Sequence, residues 1–300
     1  MPEASNPTTR VMDVLGFLAA HRTDTFTLAE IARHVGLSNG SAHRLLTTMA
    51  AAQFLSRNEK HRTYSLGVAL VAIGQAAIEK HRGIEIARRE IARLALELDA
   101  QCSISAVVED EVLVLAKEGR ARSHLGLTRV GERRPLVPPV ALCPMAWAGE
   151  PAIAAYVEKA DPHLSPALRA HLRAALALIR SRGFAIAANG PASRRTREAM
   201  VLPGGRMRDA DYWAGVFELV GQFEPDEMQV LDLACIGPAG VSSMAAPVFS
   251  AAGTVAFQIV LTGMPTDLTA QEIQSHAERL CASAAAITSE SHGRAPGGQP

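Results

Sequence analysis

Gly40, His43, Arg44, Thr47 and Ala51 recur at three- and four-residue spacing, which puts them on one face of a helix. That face is small or polar and carries one fixed positive charge. Such a ridge suits a groove about 12 Å wide, which excludes bulky apolar groups and lets polar tips reach base edges and phosphates. Just downstream, Arg57, Lys60, His61 and Arg62 crowd a turn between the β-prone runs FLSR and TYSLG. Ridge and cationic turn together have the chemistry of duplex DNA contact. The candidate contacts are Ser38, Asn39, Gly40 and Ser41 at the helix start, His43, Arg44 and Thr47 along it, and Arg57, Lys60 and Arg62 on the turn. An ordinary helical hairpin with a solvated face is the plainer reading of the same residues.

The flanking sequence supplies the scaffold. In TLAEIARHVG, Thr27 and Glu30 form a capping box, Leu28, Ile31, Ala32 and Val35 share a face, and Gly36 ends the helix. Leu37-Ser38-Asn39 makes a turn, with Ser38 as cap of a second helix, Asn39 to about Ala52, that buries Ala42, Leu45, Leu46 and Met49. Upstream, Arg10 to Ala20 is amphipathic through Val11, Val14, Leu15 and Leu18 and forms a third helix. Helix, helix, helix and basic hairpin make a winged helix-turn-helix. After Gly67 the run VALVAIGQAAIEKHRG is apolar nearly all round from Val68 to Ile78, which predicts a helix buried against a partner subunit. Gly83 is expected to break it, and Ile84, Ala87, Ile91, Leu94, Ala95 and Leu98 start a new amphipathic helix ending near Asp99.

Composition sets limits on these readings. Three hundred residues normally make two domains. Thirty basic and thirty acidic residues cancel, so the chain is not a general polyanion binder. Residues 1–67 hold seven Arg/Lys against five Asp/Glu. One head alone would bind DNA poorly at physiological salt, and two heads on one site would double the phosphate contacts, so a homodimer or homotetramer is expected. The four cysteines lie far apart with no CxxC pair, which fits reduced thiols in the cytoplasm. No apolar run is long enough for a membrane span. Catalytic motifs GxSxG, HExxH, GxGxxG and GxxxxGK[ST] are absent, so no enzyme activity, cofactor or metal is expected.

Beyond Cys102 strands and helices mix. CSISAVVEDEVLVLAKEG reads as two strands around Glu109-Asp110-Glu111, Leu125–Val130 as another, and GERRPLVPPVALCP as a proline-rich loop leading into a helix around Ala146–Glu158. Ser165–Arg182 is helical, GFAIA is a strand, and two strands flank the turn Ser250–Gly253. A capping box at Thr269 and Glu272 starts a closing helix that runs to about Ser289. The class is α+β.

LAEIARHVGLSNGSAHRLLTTMAAAQFLSRNEKHRTYSLG, with Arg44–Leu46 and Tyr64–Gly67, resembles the head of the IclR family of bacterial transcriptional regulators. VGERRPL, RSRGFA and VSSMAAPVFSAAGTV resemble that family's rear module. The resemblance implies a DNA-binding regulator with a GAF-like effector-binding domain built on an antiparallel sheet, acting on a double-stranded operator. It implies domains at 1–67 (winged helix-turn-helix), 68–83 (linker helix) and 84–290 (effector binding, with an extended segment 189–240), then a flexible tail 291–300. By that likeness Ser243 and Thr262 match polar effector-holding positions. Leu142 and Cys143 stand where the family's Gly-Lys opens the pocket, and Asn39 and Gly40 stand where relatives often carry lysine or serine. A cavity of that kind suits a small organic acid or aromatic. Three alternatives stay open: Ser243 and Thr262 as ordinary strand residues, a metabolite-binding protein or enzyme using the head only to dimerise, and a thiol sensor acting through Cys143. The extended segment, with RRTR at 194–197, Gly204-Gly205 and a helix around Asp209–Phe223, is expected to cover the pocket or build a subunit contact.

Overall fold

Thr27 is extended, and its hydroxyl accepts the Glu30 amide while the Glu30 carboxylate accepts the Thr27 amide at 2.7 Å. This reciprocal cap starts helix α2 (Leu28–His34). The computed structural model describes residues 7–21, 24–120, 129–159, 164–200, 214–215, 218–219, 221–237 and 240–296. Before α2 come helix α1 (Pro7–Ala20) and the short strand β1 (Phe26–Thr27); after it come helix α3 (Asn39–Ala51) and the hairpin β2 (Leu55–Asn58) and β3 (Thr63–Leu66). Gly36 adopts φ +62°, the left-handed exit that ends α2. Ser38 caps α3 by accepting the Ser41 amide at 3.3 Å. The three strands form an antiparallel sheet in the order β1-β3-β2.

The core of this head is Val14, Phe17 and Leu18 from α1, Ile31 from α2 with Val35 at its C-terminal cap, Leu46 and Met49 from α3, and Leu55 and Tyr64 from the hairpin. Leu45 is only half-buried at the margin of that cluster, where the sequence predicted burial. Arg10 of α1 donates to the Val35 carbonyl, tying α1 to the end of α2.

Helix α4 (Ala69–Lys80) follows the wing at once. Gly67 is required at this joint: a Cβ there would lie 2.1 Å from the Gln53 carbonyl oxygen. Its amide donates to Phe54 O at 2.8 Å, and the Ala69 amide donates to Gln53 O at 3.1 Å. No residue of α4 is buried within the chain, and Val71 and Ile73 are 71% and 51% exposed. The predicted burial is therefore not met inside one chain. The helix ends at His81 rather than at Gly83, which lies in the first turn of helix α5 (Arg82–Glu97).

The chain divides into two compact units between His81 and Arg82, with Arg129–Glu132 counted with the first. The second unit is built on a six-stranded sheet, antiparallel throughout, in the order β6-β5-β4-β9-β8-β7. Its strands are β4 (Gln101–Val108), β5 (Glu111–Gly119), β6 (Arg133–Pro135), β7 (Ala185–Ala188), β8 (Val241–Phe249) and β9 (Val255–Thr262). The β4–β5 turn is tighter than expected: Glu111 already belongs to β5, and Glu109 takes φ +54°.

One face of this sheet carries α5 and the last helix. They bury Ile91 and Leu94, and Ile273, Leu280 and Ile287, against Ile104, Met244 and Ile259. The other face is covered by helices α6 (Leu142–Met145), α7 (Glu150–Glu158) and α8 (Pro166–Arg182), through Tyr156, Leu172, Leu176 and Ile179. The sequence reads 146–158 as one helix, but Gly149 separates α6 from α7, and the stretch expected to be all loop contains β6 and α6. Helix α9 (Pro191–Met200) takes up the RRTR run, with Arg194 and Arg195 exposed. Helix α10 (Ala270–Glu290) closes the unit, capped by Thr269 and Glu272 as predicted. Gly204-Gly205, most of 209–223 and most of the expected strand 125–130 lie outside the described residues.

Candidate functional site

Helix α3 turns Ala42, Leu46 and Met49 inward, with Leu45 and Ala50 at the margin, so the opposite face looks to solvent. Asn39, Gly40, His43, Arg44, Thr47 and Ala51 are all exposed, as is Ser38, and Ser41 is half-buried by its contact with the cap. Nothing lies within 4 Å of a Cβ built on Gly40, so the ridge is open to a close-approaching surface. Thr48 back-bonds to the Arg44 carbonyl at 2.9 Å. Among the described residues no ion pair holds the Arg44 guanidinium.

The wing presents its charges in the same open way. Asn58 Oδ1 accepts the His61 amide at 3.1 Å, and Arg62 takes φ +52°, which turns the chain back into β3. Lys60, His61 and Arg62 are exposed, and no ion pair holds them among the described residues. Arg57 is different. It stacks over the Tyr64 ring at 5.9 Å and lies 3.5 Å from the Glu59 carboxylate. Its charge is thus partly answered within the wing, and it serves the hairpin as well as any ligand.

Beneath α2 the rings of Phe17, His21, Phe26 and His34 cluster, with Phe17 and His34 centroids 4.0 Å apart. Desolvation in this cluster lowers the His34 pKa, and the neighbouring His21 and Arg33 lower it further. The folded head therefore binds that proton less tightly than the unfolded chain does. Stability is complete above the usual imidazole range and declines as pH falls through it. The opening free energy of α1 and α2 amides, measured by hydrogen exchange, is expected to fall between about pH 7.5 and 5.5. His34→Gln should flatten that slope, and an unchanged slope would remove His34 from the account.

In the second unit, register brings the two predicted hydroxyls together. Ser243 pairs with Thr262 across β8–β9, and Thr262 with Gln101 across β9–β4. Directly opposed residues share a sheet face, and the two-residue period adds Ser103, Ser105 and Gln258 to it. Gln258 donates to Ser105 Oγ at 3.0 Å, and the Thr262 hydroxyl donates to the Gln101 carbonyl at 3.4 Å. Gln101, Ser103, Ser105 and Gln258 are all buried, and Gln101 Oε1 has no hydrogen-bond partner among the described residues. Such an orphan costs free energy unless something donates to it. Helix α6, which carries Leu142 and Cys143, packs over β8 and β9, and both side chains are buried there in the apolar cluster.

Residues 7–59 match the model of the IclR helix-turn-helix domain. Over 138 residues the chain is 25% identical to the HTH-type transcriptional regulator KdgR of Escherichia coli (strain K12). That stretch is 45% of this chain and 51% of KdgR, so the chain spans about half the length of the curated relative it matches. The head thus carries an IclR-type helix-turn-helix domain.

The IclR fold extends beyond the head. The crystal structure of an IclR transcriptional regulator from Alicyclobacillus acidocaldarius superposes with a TM-score of 0.67 at 18% identity, covering 95% of this chain and 98% of that one. An IclR homolog complexed with 4-hydroxybenzoate, from Microbacterium hydrocarbonoxydans, superposes at 0.66 and 19% identity, covering 95% and 99%. Against this background the α3 ridge and the wing are the parts of an IclR head that stay uncovered. The stripe of Gln101, Ser103, Ser105 and Gln258 was missed by sequence reasoning. Its signal was present, as polar residues alternating with Cys102 and Ile104 along β4. Cys143 is 1% exposed, and burial pushes its thiol well up. A buried thiol held protonated is a poor nucleophile, which weighs against the thiol sensor.

Proposed function

We propose that this chain is a ligand-responsive transcriptional regulator that binds a double-stranded operator as a dimer or tetramer. The helix-turn-helix match over residues 7–59 and the fold shared with a solved IclR regulator support this reading. The observation that carries the reading is the uncovered ridge of α3 beside an uncovered cationic turn, with Arg44, Lys60 and Arg62 unpaired among the described residues. In this reading α3 enters the major groove. His43, Arg44 and Thr47 meet base edges or phosphates, and Ser38, Asn39, Gly40 and Ser41 approach a phosphate at the helix start. Arg57, Lys60 and Arg62 touch backbone or the adjacent minor groove. A net charge of zero argues for paired heads, and the uncovered Val71 and Ile73 of α4 offer a surface for pairing.

The effector would sit against the polar face of the large sheet, which carries Ser243, Thr262 and Gln101, with Leu142 and Cys143 on the helix packed over β8 and β9. A small organic acid or aromatic suits that mix of hydroxyls and apolar wall, and a solved structure of the same fold is complexed with 4-hydroxybenzoate. Effector binding would act on the heads through α4, since half-sites lie about one helical turn apart and spacing is the sensitive variable.

The test is footprinting and mobility shift of the full chain on the DNA upstream of its own gene. A protected site is expected, with affinity falling roughly a thousandfold or more from about 50 to 200 mM salt if two heads make six or more phosphate contacts. Equal affinity for unrelated DNA at every salt would overturn the reading.

A further inference from the structure

Three arginines converge on a cavity of about 560 Å³ at the notch where β7 stops short of the end of β8. β7 pairs with β8 only as far as Ala185 opposite Ala245, so Ala246 to Phe249 run on with β9 on one side and no strand of the described residues on the other. The C-terminal turn of α8, the last turns of α10 and the segment after it wall this notch. Arg180, Arg182 and Arg294 line it, and among the described residues no aspartate or glutamate does. No ion pair answers any of the three among the described residues.

The three are held in different ways. Arg180 donates to the carbonyls of Ala146 and Ala148. Arg182 donates through Nε to Phe184 O at 2.8 Å and stacks on the Phe184 ring at 4.6 Å, which leaves its Nη2 buried and without a hydrogen-bond partner. Arg294 is placed by its backbone, because its amide donates to Ser250 O at 3.1 Å and the Gly293 amide donates to Thr288 O at 2.7 Å. Apolar side chains share the rest of the wall with Thr288 and Ser289. Trp147 and Phe249 meet edge to face with centroids 5.5 Å apart, and Ala284 lies on the floor.

We propose that this notch is a second ligand site, separate from the sheet face of Ser243 and Thr262, and that it takes a small carboxylate with a flat apolar body. A carboxylate suits guanidinium donors because both are planar and can pair through two hydrogen bonds. The flat body would lie against Trp147 and Phe249. The volume is that of a small-molecule site. Burial lowers the Arg182 pKa to about 10, so the group stays charged at neutral pH yet is poorly solvated, and an incoming anion would relieve that.

The probe is benzoate, titrated calorimetrically into the full chain without DNA up to about 10 mM, the weak end for so small a ligand. Saturable binding is expected, with benzyl alcohol at least about tenfold weaker. Arg182→Gln and Arg294→Gln should each weaken benzoate about tenfold or more, with Arg294→Gln decisive if Arg182→Gln disturbs the fold by circular dichroism. Ser243→Leu, which fills the sheet face, should leave this binding intact. No binding by the wild-type chain, equal binding of benzyl alcohol, no loss in Arg294→Gln, or loss only in Ser243→Leu would each overturn the proposal. None of these outcomes depends on whether the head binds an operator.

Discussion

Leu46→Ala is expected to destabilise the head by about 2–5 kcal/mol. The side chain is fully buried and sits on the inner face of α3, packed in the cluster that holds Ile31, Val35 and Leu55. Removing three carbons there leaves a cavity that α1, α2 and the wing must collapse to fill, and a core this small has few spare contacts. Most of a small domain's stability is at stake, so the variant should lose operator binding. Hydrogen exchange should show α1 to α3 opening while amides of the six-stranded sheet keep their protection, since that sheet has its own core. Full protection in α3 of the variant would contradict the packing described.

Arg44→Ala is the second large effect, and it acts without touching the core. The side chain is exposed and no carboxylate holds it among the described residues, so truncation should leave folding unchanged. Operator affinity at fixed salt should fall by about 1–3 kcal/mol, with relaxed preference at one base position if the contact is to a base edge. The wing supplies the contrast. Neutralising Lys60 and Arg62 together should weaken all DNA sequences alike and reduce the salt slope by about two, one per lost phosphate contact. A mobility-shift titration in which Arg44→Ala matches wild type would remove that residue from the interface.

Much of the head was legible because its signals are local. The Thr27–Glu30 box, Gly36, the Ser38 cap and the three-to-four spacing of Ala42, Leu46 and Met49 each depend on residues within a turn or two. The closing helix was legible for the same reason, through Thr269 and Glu272. Where the outcome depends on distant partners, the chain says less. The run from Val68 to Ile78 is apolar enough to be interior, yet most of it is exposed and none of α4 is fully buried among the described residues. Leu142 and Cys143 read as loop because Pro138, Pro139 and Pro144 surround them, and only packing over β8 and β9 makes α6 of that stretch. The sheet-face stripe joins Gln101 to Thr262 across 161 residues, a pairing that no local pattern predicts. Family likeness brought Ser243 and Thr262 forward, and strand register added Gln101.

The joint at Gly67 bears on how a signal could travel. With the backbone pressed against Gln53 and hydrogen bonds on both sides, that point is a clamp and not a swivel. Turning α4 about its axis must carry the wing with it, and α3 follows because Gln53 and Phe54 are its direct continuation. The lever and the reading head therefore rotate as one piece, and a floppy insertion at this spot would uncouple them while leaving each part folded.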